Sequence, residues 1–138
     1  MRQTTILALL VPATLALAGA AAAQEPGTEE QMVAGSSVYA TYCTVCHGPG
    51  AKGDGPLANS LRFRPPDLTL LAKKNGGTFP KDRVLRTVDG RNPVKGHGGP
   101  DMPVWGDAFR QSREGRDEKA VRQKVEAVVT HLESLQEK

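Results

Sequence analysis

Aromatic residues are scarce: one tryptophan, two tyrosines and three phenylalanines make up 4% of the 138 residues. So few large rings cannot fill a sizeable core. They also leave no stacking platform of the kind single-stranded nucleic acids need. No long basic run is present, so nucleic acid is not an expected partner. Cysteine is scarcer still. The two that occur, Cys43 and Cys46, are three positions apart and cannot clip distant segments together. Neither cysteine lies directly after the apolar N-terminal stretch, which argues against a lipid-anchored lipoprotein. No segment alternates convincingly between apolar and polar residues and no repeat is visible, which argues against sheets and solenoids. Charge is nearly balanced, with 18 basic and 15 acidic residues for a net +3, and does not select a partner.

The beginning of the chain is unlike the rest. Met1-Arg2-Gln3 forms a short basic start, Ile6 to Leu17 an apolar stretch, and Ala21-Ala22-Ala23 a small-residue cleavage signal. Together they read as a secretory signal peptide over residues 1–23. The run from Thr4 to Ala23 is just long enough to span a bilayer if left uncleaved, but Pro12 and the alanine-rich end favour cleavage. The expected organisation is therefore a signal at 1–23, a flexible polar segment at 24–31 and one domain at 32–138. The localisation that follows is the periplasm, with no membrane span once the signal is removed.

Within the domain, Met32, Val38, Tyr39, Tyr42, Cys43 and Cys46 recur at helical spacing. Gly35 lies inside that pattern, where a missing side chain lets another helix come close. His47-Gly48-Pro49-Gly50 should end this first helix. Residues 48–78 read as loop, broken repeatedly by glycine and proline, which number 15 and 10 in the chain. A short helix is expected from Pro80 to Val88, stopped by Gly90. A second loop runs from Arg91 to Trp105. The last helix should start near Asp117-Glu118, where acids suit the positive helix end, with Val121, Val125, Val128, Leu132 and Leu135 as its apolar stripe. The fold class is all-α with long loops, and the domain is small enough to need a staple.

Cys43-Thr44-Val45-Cys46-His47 is the attachment pattern of c-type haem. Two thiols on one helical turn can add across two vinyl groups at one porphyrin edge, and the next residue places its imidazole beneath the iron. A covalently held ring would also supply the missing core. Two other readings compete. A thioredoxin-like dithiol would sit near a βαβ pattern, which is absent here. Four-coordinate zinc would need further Cys or His, and only His97 and His131 remain.

With this motif in view, the chain resembles the class I c-type cytochromes over nearly all of its mature length. The resemblance is carried by the helix from Gly35 to Cys43, Gly53-Asp54-Gly55-Pro56, Pro65-Pro66-Asp67-Leu68, Val84 to Gly90, and Asp101-Met102-Pro103-Val104-Trp105-Gly106. It implies a cytochrome c-like fold in which N- and C-terminal helices cross and long loops wrap one covalently attached haem c. It also implies that a proline carbonyl, here Pro66 by position, orients the proximal imidazole, with Leu68 packing on the ring.

Candidates for the sixth iron ligand are Met32, His97, Met102 and His131. Met32 is too close in sequence to His47 to wrap round the ring, and His131 reads as a surface or helix-interface residue. His97 lies among glycines, whereas Met102 is restrained by Pro103 and matches the family's ligand position. Trp105 is expected against the haem edge, its indole N–H available to a propionate. With His47 and Met102 on the iron no open position remains, so the expected function is single-electron transfer rather than catalysis. The expected partners are a dehydrogenase or reductase as donor and a terminal oxidase or another cytochrome as acceptor. The alternatives are a subunit held permanently in a dehydrogenase complex and, with an open sixth position, a haem enzyme or sensor.

Overall fold

A computed structural model describes residues 28–91, 102–112 and 117–137. The segment expected to be a signal peptide and His97 lie outside these residues. Among the described residues five α-helices run in order: α1 (Thr28–Tyr42), α2 (Thr44–His47), α3 (Lys81–Asp89), α4 (Trp105–Gln111) and α5 (Glu118–Ser134). Three 3-10 turns, Ala58–Ser60, Leu68–Leu70 and Lys73–Asn75, punctuate the long connection between α2 and α3. Among the described residues there is no strand, and no helix is long and apolar enough to cross a membrane.

The first and last helices make the most extensive contact in the fold. Gly35 is the reason they can approach so closely. A side chain there would meet the Ala127 carbonyl oxygen and lie 2.6 Å from its carbon. One turn on, Tyr39 is buried and its ring faces His131 at 5.2 Å. The expected Gly35 crossing against the Val125–Val128 region is therefore what the backbone shows, and His131 is an interface residue.

Helix α5 is the spine of the domain. Asp117 caps it, its carboxylate accepting the Lys119 amide at 2.9 Å. Val121, Val125, Val128 and Leu132 are buried as the stripe requires. Ala127 and Val129 are buried too, because α5 packs against α1, α3 and α4 and so needs a wider apolar face than one seam. Helix α3 brings Val84 and Val88 to this core and ends at Gly90.

Three elements differ from the sequence expectation. Helix α1 starts at Thr28, inside the segment expected to be flexible, with Glu29 and Glu30 in its first turn complementing the helix dipole. The first helical run is interrupted at Cys43, so α2 is a separate turn carrying Cys46 and His47. Helix α4 was not expected at all. It forms because Trp105 and Phe109, four residues apart, both face the interior.

Candidate functional site

The Cys-x-x-Cys-His turn is held by its own backbone and by the loop that follows. The Cys43 amide donates to Tyr39 at 2.9 Å, continuing α1, and the His47 amide donates to Cys43 at 2.8 Å. The carbonyls at the end of so short a helix have no partners within it. Here they accept from the loop: His47 from the Gly53 amide at 2.9 Å, Cys46 from Gly55 at 3.2 Å and Val45 from Leu57 at 2.9 Å. The buried Tyr39 hydroxyl donates to the Gly48 carbonyl at 2.8 Å, tying the same turn to α1.

Close packing of the backbone dictates the glycines in this loop. A side chain on Gly55 would come within 2.6 Å of the Val45 oxygen and 2.7 Å of the Cys46 carbonyl carbon. Gly53 adopts a left-handed φ of 72° and lies so near Pro65 and Pro66 that a side chain would sit 3.0 Å from the Pro65 carbonyl carbon. The Leu68 amide then donates to Ala51 at 2.8 Å. The chain from 51 to 68 thus folds back and presents Pro65, Pro66 and Leu68 opposite α2.

Between these walls opens an apolar cleft with a volume of about 180 Å³. Cys43, Cys46 and His47 line one side of it, and Pro66 and Leu68 line it as well. Met102 and Trp105 reach it from a part of the sequence more than fifty residues away. All seven residues singled out from the sequence therefore share one cavity. Of the other candidates, neither Met32 nor His131 is among the residues lining it, and His97 lies outside the described residues.

Several lining residues carried no signal that could be read in isolation. Val84 and Val88 of α3 and Leu132 of α5 close the apolar wall, while Arg64 and Arg83 bring positive charge to it. Trp105 is embedded in an aromatic group. It stacks on Phe109 with centroids 5.7 Å apart, and Tyr42 meets both rings edge-on at 5.6 and 5.4 Å. The i, i+4 spacing of Trp105 and Phe109 was the available clue to this group and to α4.

The electrostatics discriminate between the readings of the cysteine pair. Burial, with the neighbouring Cys46 second, pushes the Cys43 thiol up to about 11. A redox-active dithiol requires the opposite shift. Among the described residues, no three His, Cys, Asp or Glu side chains converge as a metal site would need. Burial also holds the His47 imidazole below its ordinary pKa, and the Pro66 backbone carbonyl opposes that effect. The His47 Nδ1 atom is itself buried without a hydrogen bond of good geometry, so the Pro66 carbonyl acts on it as a nearby dipole.

These features fit haem c. The cleft is apolar, both thiols open onto it, and a neutral imidazole with a backbone carbonyl behind it is suited to metal ligation. The profile describing cytochrome c matches residues 32–136. The chain belongs to the cytochrome c family. No curated protein and no solved structure matches it significantly. The family binds haem c covalently through paired cysteines, which this cytochrome has in Cys43 and Cys46, and its members transfer electrons through the haem.

Proposed function

We propose that this cytochrome is an exported carrier of single electrons, working in the periplasm with one haem c bound through Cys43 and Cys46 and ligated by His47 and Met102. The observation that carries this reading is that Met102, remote in sequence, lines the same apolar cleft as His47, while no second imidazole is among the described lining residues. When bound, the haem iron supplies a one-electron couple. The chain's residues shape that couple. A Met102 thioether opposite His47 favours the ferrous state and raises the potential relative to bis-histidine ligation. The apolar wall of Val84, Val88 and Leu132 lowers the local dielectric, which also disfavours the more highly charged oxidised state. The Pro66 carbonyl orients the His47 ring. Leu68 and Trp105, which line the cleft, would cover the cofactor, with the Trp105 indole N–H available to a propionate.

With His47 and Met102 both holding the iron, the site would leave no place for a substrate, which supports a carrier rather than an enzyme. Its partners are redox proteins, a dehydrogenase or reductase as donor and a terminal oxidase or second cytochrome as acceptor. Residues 1–23 direct export and are removed.

Met102→Ala tests the assignment. The purified holoprotein should lose the thioether-to-iron charge-transfer band at the red end of its spectrum, bind exogenous ligands and show a markedly lower midpoint potential. His97→Ala should leave spectrum and potential nearly unchanged. The reverse pattern would make this a bis-histidine cytochrome and overturn the reading.

A further inference from the structure

Arg91 makes three hydrogen bonds to two carboxylates, and no part of the haem site calls for it. Its Nε lies 2.5 Å from Asp89 Oδ1 and one terminal nitrogen 3.3 Å from Asp89 Oδ2, so it grips that carboxylate with two donors. Its other terminal nitrogen donates to Glu118 Oε1 at 2.6 Å. One guanidinium thus links the last residue of α3 to the first residue of α5. The Arg91 and Asp89 side chains are only 20% and 26% exposed, so that pair is shielded more than an ordinary surface pair, whereas Glu118 meets it from the exposed side.

Helix α4 is built to accept the clamp. Gly106, in its first turn, is buried, and a side chain there would run into Asp89 Oδ1 and Arg91 Nε and lie 2.9 Å from Arg91 Cδ. Just outside it, Gly90 faces Val104, whose Cα would be 3.2 Å from a side chain at that glycine. Residues 89–91 are therefore packed directly onto residues 104–106. Asp89 gains nothing from its own helix, because an acid at a helix C-terminus opposes the dipole. Its placement is explained by Arg91.

We infer that Arg91 is a positioning residue for Met102: with Asp89 and Glu118 it closes the base of the segment that delivers the thioether to the haem cleft. Met102 is two residues from Val104 and four from Gly106, so movement at the clamped base is transmitted to the sulfur through very little chain. The fork geometry matters as well as the charge, since a lysine cannot hold one carboxylate with two donors while reaching another. This inference rests on Met102 being the sixth ligand, and the experiment separates the two.

The test is imidazole binding to the ferric holoprotein, followed by the visible spectrum, in Arg91→Gln, Arg91→Lys, Glu118→Gln, Arg110→Gln and Met102→Ala. Imidazole binds only when the methionine is off the iron, so its apparent affinity scales with the population of that open state, and a tenfold rise in opening gives about tenfold tighter binding. Arg91→Gln should raise apparent affinity about tenfold or more while far-UV circular dichroism keeps its native helicity. Arg91→Lys and Glu118→Gln should fall between it and the parent. Arg110→Gln removes an exposed pair with Asp107 on the same helix and should match the parent. If Arg91→Gln fails to accumulate as holoprotein, Glu118→Gln decides alone, and parental affinity in it refutes the clamp. Should Met102→Ala bind imidazole tightly while the folded Arg91 variants bind like the parent, the clamp is wrong and the ligand assignment stands. Should Met102→Ala itself bind like the parent, the ligand assignment falls and takes the clamp with it.

Discussion

Replacing Gly35 with alanine sets two effects of known sign against each other. In an ordinary helix interior the change stabilises by about 1 kcal/mol, because alanine restricts the unfolded chain and solvates less backbone. At this position the new methyl would meet the Ala127 carbonyl oxygen, with its carbon at 2.6 Å and His131 Cβ at 3.0 Å. The first two are backbone atoms that cannot rotate aside, so relief requires α1 and α5 to separate. A gap of 0.5–1 Å already forfeits roughly a quarter to a half of each dispersion contact across the seam. Overpacking of this kind costs about 1–3 kcal/mol. The seam includes the Tyr39–His131 ring contact and the buried Val128, so the upper part of that range applies, and the helix gain offsets only part of it. We expect a net loss of about 1–2 kcal/mol for Gly35→Ala and about 3 kcal/mol for Gly35→Leu. In a domain of this size each kcal/mol lowers Tm by roughly 4–8 °C. The assay is thermal unfolding of the holoprotein by far-UV circular dichroism. Ala34→Gly at the exposed neighbouring position isolates the propensity effect and should cost about 1 kcal/mol. A Gly35→Ala melting temperature equal to or above the parent's would refute the reasoning, because it would mean propensity outweighs contact at this site.

The Gln136 amide donates to the carbonyls of Leu68 and Leu132 at 2.8 and 2.7 Å and accepts from the Ala72 amide at 2.9 Å. Gln136→Ala strands these groups and should cost about 2–3 kcal/mol in denaturant unfolding; a loss under about 0.5 kcal/mol would contradict a role in fastening the Leu68 turn to α5. Burial holds the His131 imidazole below its ordinary value of 6.5, so the unfolded chain takes up a proton first as pH falls. Stability should therefore drop as pH moves down from about 6.5 toward the depressed folded value, and His131→Gln should flatten that slope; identical pH profiles would exclude His131 as its source. The mass of the exported protein should equal residues 24–138 plus one haem, and an intact N-terminus in the membrane fraction would overturn signal cleavage. Cys43→Ala or Cys46→Ala should sharply reduce folded holoprotein, and normal accumulation of either without haem would remove the ring from its role as core.

The chemistry of this protein was written into short stretches of sequence because covalent chemistry is local. Two thiols and an imidazole must share one turn to meet a single porphyrin, so Cys43, Cys46 and His47 declare themselves with no knowledge of the fold. The terminal helices were legible for a related reason. Val121, Val125, Val128 and Leu132 repeat at helical spacing, and a lone Gly35 within a helix needs a close neighbour to justify it. What the sequence left open depends on contacts between residues far apart in the chain. Helix α1 breaks at Cys43, where the Thr44 hydroxyl donates to the Ala40 carbonyl at 2.8 Å, and the end carbonyls of α2 are claimed by Gly53, Gly55 and Leu57, a pairing no local propensity records. Helix α4 exists because Trp105 and Phe109 find Tyr42, more than sixty positions earlier. Arg91 read only as the start of a loop, and the fold sets Asp89, Gly106 and Glu118 around it. Local spacing determined what this chain can bind, whereas the packing of distant backbone determined where Met102 and the walls of the cleft would stand.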